Sequence, residues 1–341
     1  MTTPRIVILR TRSTLEEVGV DALDLVDYHR TGQRLRAGGF LEWVPQLAEL
    51  ADTREEVFSP QVGERPALVA SERDLLDLAR QVRTLLLEES VDAVVVTHGT
   101  NGLEETALLL WAAVEVPAGK RVVVTGAMRP AGALGTDGPR NIWSACRAAA
   151  DASEGGRGCV TVVMNDVIFR GDGVAKSHTS SLGAFTADDR GPVGVIEPTG
   201  HIDWLSAHVP RPPAWLSDAL VDAVGLADVP LASSWTGHDG RILRAIAHTD
   251  PAGLVIAGRG NGHPLPQEIG PLIELTERGV AVCIASRASD GRVILPAIGR
   301  DHNWLAAGPR RAWSARLLLS VGLNATDDRA AIQALLDRRE A

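Results

Sequence analysis

The feature that most constrains the fold is a rhythm of short, continuous, β-branched apolar runs separated by segments with helical spacing. The runs fall at 6–9, 93–96, 122–124, 160–164, 254–256 and 280–284. A strand without polar alternation is one covered on both faces, as in a parallel sheet flanked by helices. Between the runs, 74–87 carries leucines at 75, 76, 78, 85, 86 and 87, and Ser71 with Asp74 has the spacing of an N-terminal helix cap. Alternation of this kind predicts an α/β fold, with a doubly wound, mostly parallel sheet in a large N-terminal domain and a second, smaller α/β domain. The pattern lapses between 204 and 226, where Pro210, Pro212 and Pro213 disfavour both helix continuation and central strands. The expected organisation is a domain over 1–204 that carries the chemistry, a Pro-rich linker over 205–226, and a smaller domain over 227–341 that resumes with a strand at 229–231.

Composition narrows the chemistry by exclusion. With Lys+Arg 34 against Asp+Glu 43, the net charge of -9 repels phosphate backbones, so no nucleic-acid partner is expected. Cys146, Cys159 and Cys283 form neither a CxxC nor an even set, which argues for buried, reduced thiols and against a disulfide framework. The nine histidines show no His-x-x-x-His spacing, so no metal site is expected. The apolar run at 6–9 is too brief for a signal peptide and no later run reaches the 18 or so residues of a membrane span, so the chain reads as cytoplasmic with no membrane partner. Tyr28 is the only tyrosine, and any mechanism that needs a phenol has that single candidate.

Ligands of open α/β sheets sit beyond the carboxyl ends of the strands. The turns there are rich in small polar groups: Arg10-Thr11-Arg12-Ser13-Thr14 after the first run, Thr97-His98-Gly99-Thr100-Asn101 after the second, Thr125-Gly126-Ala127-Met128 after the third, and Asn165-Asp166 after the fourth, leading on to Lys176. A threonine hydroxyl becomes a useful nucleophile when a neighbouring base takes its proton, and a desolvated lysine is such a base. One threonine in isolation would be a helix cap or a turn hydroxyl bonded to its own backbone.

The segment from Thr97 to Ala107 resembles the second signature of the bacterial-type L-asparaginase family. Val124-Thr125-Gly126-Ala127-Met128-Arg129-Pro130, Thr136-Asp137-Gly138-Pro139-Arg140-Asn141, Val163-Met164-Asn165-Asp166, Lys176-Ser177-His178-Thr179 and Gly258-Arg259-Gly260-Asn261-Gly262 follow in the family's order, so the resemblance spans essentially the whole chain. It implies an amidohydrolase that uses a threonine nucleophile to release ammonia from a small-molecule carboxamide, needs no cofactor, and assembles as a homodimer or homotetramer in which a neighbour's small domain completes each site. By position, Thr11 looks like the acylated threonine, Thr100 like the second threonine with Lys176 as its proton acceptor, and Tyr28 like the tyrosine that polarises the first. Substrate contacts are expected from Asn101, Ala127, Ser71 and His263, with Ser59 an alternative to Ser71.

Several positions depart from the family pattern. Its first signature, Thr-Gly-Gly-Thr, reads Thr11-Arg12-Ser13-Thr14 here, so either the turn changes course or Arg12 enters the site. The family's aspartate after the second threonine is Asn101, and the acid expected from the neighbour falls near Pro296, where no carboxylate appears until Asp301. Both losses remove anions that would hold an α-ammonium, and they point to a substrate other than free L-asparagine. The competing reading is a catalytically inactive small-molecule-binding or sensor protein. A dinucleotide enzyme fits poorly, because Gly258-Arg259-Gly260-Asn261-Gly262 lacks the third glycine and is followed by Pro264 and Pro266. His98 and Asp137 suggest a serine-type triad only superficially, because no Gly-x-Ser-x-Gly elbow is present. Trp111 and Trp143 read as core aromatics, and Arg310, Arg311 and Arg316 as surface arginines.

Overall fold

The computed structural model of the chain describes residues 3–36, 38–60, 69–206, 209 and 211–337; Pro210 of the expected linker lies outside them. The chain divides into two compact units, 1–217 and 218–341. A helix, Ala214–Leu220, forms directly after Pro213, within the stretch whose prolines argue against one.

The larger unit is organised by an eight-stranded sheet. Its strands are β1 (Arg5–Arg10), β2 (Asp52–Val57), β3 (Ala93–Thr97), β4 (Arg121–Thr125), β5 (Val160–Met164), β6 (Val167–Arg170), β9 (Gly194–Ile196) and β10 (Ile202–Trp204), while β7 (Val174–Lys176) and β8 (Phe185–Ala187) form a separate hairpin. The order across the sheet is β10-β9-β6-β5-β4-β3-β1-β2. From β5 to β2 every pairing is parallel, and beyond β5 the pairings are antiparallel. The apolar runs form buried strands because helices cover them: β3, β4 and β5 are buried at every residue. The helix Glu72–Leu87 begins at Ser71 with a full capping box, in which the Ser71 hydroxyl accepts from Asp74 N and the Asp74 carboxylate accepts from Ser71 N.

Strand order locates the site. From β1 the chain moves outward to β2, then returns to the other side of β1 as β3 and continues to β4 and β5, so the winding reverses between β1 and β3. At such a switch point the connecting loops splay apart and leave a crevice at the carboxyl ends of the strands. Here those ends bear Thr11 to Thr14 and His98 to Asn101.

The smaller unit is a four-stranded parallel sheet of order β11-β12-β13-β14, with β11 (Leu231–Ser233), β12 (Gly253–Gly258), β13 (Ala281–Ser286) and β14 (Leu305–Ala306). Its first strand starts two residues later than the 229–231 expectation, because Pro230 has no N–H to give to a ladder. Arg310, expected at the surface, is buried and donates to Leu335 O. Among the described residues, no helix is long and apolar enough to cross a membrane.

Candidate active site

The first turn gives its two threonines different partners. Thr11 is 1% exposed, its N–H donates to Thr97 O at 3.1 Å, and its hydroxyl donates to the same carbonyl at 2.7 Å. Its side chain therefore closes the seam between β1 and β3. Three residues on, Thr14 opens the 3-10 turn Thr14–Glu16 and is half-buried, with its Oγ1 3.0 Å from the Tyr28 hydroxyl. The one phenol in the chain thus meets the second threonine of the turn instead of the first. The replaced glycines cost the backbone nothing, since Arg12 and Ser13 both keep negative φ. Arg12 turns its guanidinium to Glu17 at 3.5 Å.

The second turn carries a threonine and lysine in contact. Lys176 Nζ donates to Thr100 Oγ1 at 2.9 Å and to Asn101 Oδ1 at 3.1 Å. Burial lowers the Lys176 pKa, with Glu104 opposing the shift. Glu104, in the first turn of the helix Leu103–Ala113, also accepts from Lys176 N at 2.7 Å and so fixes the end of β7 against that helix. Thr100 is buried, while Lys176 is half-buried beside exposed Asn101.

The remaining motif residues hold these turns in place. Asp137 accepts from the N–H groups of Met128 and Arg129 and from the Asn141 amide, while Asn141 reaches Gly126 O at 2.9 Å and receives Asn165 N–H at 3.0 Å. Ala127, two residues past β4, is fully buried. Gly126 admits no side chain, as a Cβ there would lie 2.5 Å from His98 O. His98 is buried, with Nδ1 donating to Gly99 O and Nε2 accepting from the Thr106 hydroxyl. Burial drives its pKa down to about 4, so it is neutral near pH 7 and engaged on both ring nitrogens. Neither His98 nor Asp137 is free to serve a serine-type triad.

Of the expected substrate contacts, Ser71 makes a local bond and His263 stands apart in the other unit. The Ser71 hydroxyl is spent on the helix cap described above, which is the local competition that favours serine at such positions. His263 lies in the smaller unit, exposed, with its backbone paired to Arg259 across the glycine turn that follows β12. In that turn Asn261 exchanges two hydrogen bonds with the backbone of Ile294, at 2.7 and 2.9 Å.

A cavity of about 460 Å³ opens beside the lysine, lined by Asn101, Lys176, Ser177, His178 and Thr179. It presents one amine, hydroxyls, an amide and an imidazole, and no carboxylate. His178 Nδ1 accepts from the N–H groups of Ser180 and Ser181, which leaves Nε2 as the outward ring nitrogen. Among the described residues, no cluster of His, Cys, Asp and Glu has the form of a metal site.

Residues 5–209 match the family described as Asparaginase, N-terminal, and residues 228–336 the Glutaminase/Asparaginase C-terminal domain. The chain belongs to the asparaginase family. It is 31% identical to L-asparaginase 2 of Escherichia coli, with 98% of this chain and 93% of that one covered. It is 30% identical to a glutaminase-asparaginase of Pseudomonas aeruginosa, over 96% of this chain and 88% of that one. The solved structure of a probable cytoplasmic L-asparaginase from Campylobacter jejuni superposes with a TM-score of 0.84 at 27% identity, covering 98% of this chain and 99% of that one. This asparaginase-family chain is an amidohydrolase acting on a linear amide, and the inactive sensor reading is not favoured.

Sequence reasoning gave no role to Thr14, which contacts Tyr28, or to Glu104, which holds Lys176 N. Thr14 stands in the very turn that drew attention to Thr11. Strand register distinguishes them: Arg10 pairs with Thr97 and the Thr11 N–H still donates to Thr97 O, whereas Thr14 lies three residues further on.

Proposed function

We propose that Thr14, not Thr11, is the nucleophile of this asparaginase-like enzyme, and that its substrate is a carboxamide lacking a free α-ammonium. The observation that carries the first part is the 3.0 Å approach of the Tyr28 hydroxyl to Thr14 Oγ1, while Thr11 is sealed against Thr97. In this reading Thr14 Oγ adds to the amide carbon as its proton passes to the Tyr28 oxygen and on to the amide nitrogen, which leaves as ammonia. Water then opens the resulting ester. Its proton is taken through Thr100 by Lys176, whose burial favours the neutral amine that a base requires. Atoms balance: an amide and water enter, a carboxylic acid and ammonia leave.

The second part rests on charge. Asn101 touches Lys176 where a carboxylate would bind an ammonium, and the cavity beside them has no anion in its lining. A substrate whose α-nitrogen is acylated or missing loses nothing there, whereas an ammonium forgoes a charge-assisted hydrogen bond. Assembly as a homodimer or homotetramer belongs to the same reading as what the family resemblance implies, and a cytoplasmic location is supported by the name of the Campylobacter relative. The test is ammonia release from L-asparagine, L-glutamine, N-acetyl-L-asparagine and succinamic acid. Faster turnover of the last two supports the proposal, and efficient hydrolysis of plain L-asparagine overturns it.

A further inference from the structure

Arg10 is the last residue of β1 and only 4% exposed, yet it touches none of the groups assigned to the reaction. Its contacts lead instead to the two segments that carry those groups. One side of the guanidinium donates to Glu16 Oε2 at 2.8 Å, and Glu16 closes the 3-10 turn that Thr14 opens. The same side reaches Leu35 O at 3.2 Å, and the other side donates to Arg36 O and to Glu55 Oε2, both at 2.8 Å. Glu55 in turn accepts the N–H groups of Gly38 and Leu41, and the Phe40 ring lies under the guanidinium at 4.4 Å.

The stretch that begins at Tyr28 is zipped back onto the stretch that begins at Thr14. Thr31 Oγ1 donates to Val18 O, Val18 N donates to Gln33 O, Glu17 bridges Arg34, and Leu35 N donates to Glu16 O. Arg10 grips both strands of this zipper at the end remote from Tyr28. Four simultaneous acceptors around one planar cation require the fork of an arginine, since a lysine offers its three donors from a single point. A buried cation between two buried carboxylates is also a poor stabiliser compared with apolar packing, so stability alone does not call for it.

We propose that Arg10 is a positioning residue for the amide hydrolysis, holding the Tyr28 phenol on the Thr14 hydroxyl through the 31–36 segment. The inference rests on the proposed roles of Thr14 and Tyr28. It is tested by a mutant cycle of Arg10→Lys and Tyr28→Phe, singly and together, read as kcat and KM for whichever of L-asparagine and N-acetyl-L-asparagine is turned over faster. Misplacement of a reacting group by about an ångström costs up to about a hundredfold. Arg10→Lys is therefore expected to lower kcat about tenfold or more with little change in KM, and to add less than about twofold once Tyr28 is Phe. If Arg10→Lys does not fold, Glu55→Gln keeps Arg10 and an acceptor oxygen in place and is expected to give a smaller kcat loss with the same dependence on Tyr28. An equal loss in both backgrounds, or an unchanged kcat, overturns the proposal for Arg10 alone. A fully active Tyr28→Phe overturns the Thr14–Tyr28 reading and this proposal with it.

Discussion

Restoring a carboxylate at position 101 should reverse the specificity inferred for this enzyme. In Asn101→Asp, an oxygen that accepts from Lys176 Nζ at 3.1 Å acquires a negative charge without a change of shape. Two unit charges at that distance attract by about 5 kcal/mol at an effective dielectric near 20, and because Asn101 is exposed the net effect is smaller. A hydrogen bond to a charged group is worth about 1.5–3 kcal/mol, which corresponds to roughly tenfold to over a hundredfold in affinity. That gain should appear as a lower KM for L-asparagine, whose ammonium finds its missing anion, and not for succinamic acid, which has none. The new charge also favours protonated Lys176, so the alkaline pH needed for full activity on the neutral amide should move upward. The assay is kcat and KM for both substrates over pH. If Asn101→Asp leaves the preference between L-asparagine and succinamic acid within about twofold of the parent, the charge argument is wrong.

Three further outcomes follow from the same geometry. Thr11→Val should cost stability through the lost bond to Thr97 O, about 1 kcal/mol by urea unfolding, while kcat stays near that of the parent; Thr14→Val should abolish ammonia release with little loss of stability. Gly126→Ala brings a Cβ to 2.5 Å from His98 O, so the turn that holds Ala127 must shift, and both thermal midpoint and activity should fall, the stability by about 1–3 kcal/mol. His98 is held neutral with a pKa of about 4, against about 6.5 unfolded, so its contribution is complete above the unfolded value and is lost as pH falls through the window between the two. Urea unfolding between pH 7 and 4 should lose up to about 3 kcal/mol from this group, and the slope should flatten in His98→Asn.

What the sequence made legible depended on how completely a residue's environment was local or layered. The β-branched runs marked β1, β3, β4, β5, β12 and β13 because these strands are covered on both faces, and Ser71 with Asp74 marked a cap because capping is a matter of three residues. By contrast β2, Asp-Thr-Arg-Glu-Glu-Val, sits at the sheet edge and pairs only with β1, so it carries no apolar run to find. Lys176, Thr100 and Asn101 lie together, as the family resemblance implied. The distinction between Thr11 and Thr14 was different in kind, since it turns on where the β1–β3 register ends and on where a residue 14 positions away, Tyr28, is placed. The grip of Arg10 on Glu16 and Glu55 was equally invisible, because it joins three segments that no short motif contains.

The most direct test of the central claim uses a diazo-ketone analogue of asparagine, with and without an N-acetyl group, followed by trypsin and mass spectrometry. Cleavage after Arg10, Arg12 and Arg30 puts Thr11 in the dipeptide 11–12 and Thr14 in the peptide 13–30, so the two threonines are read separately. An adduct is expected on Thr14, absent from Thr14→Val and retained in Thr11→Val. An adduct on Thr11, or labelling that survives loss of the Thr14 hydroxyl, would contradict it.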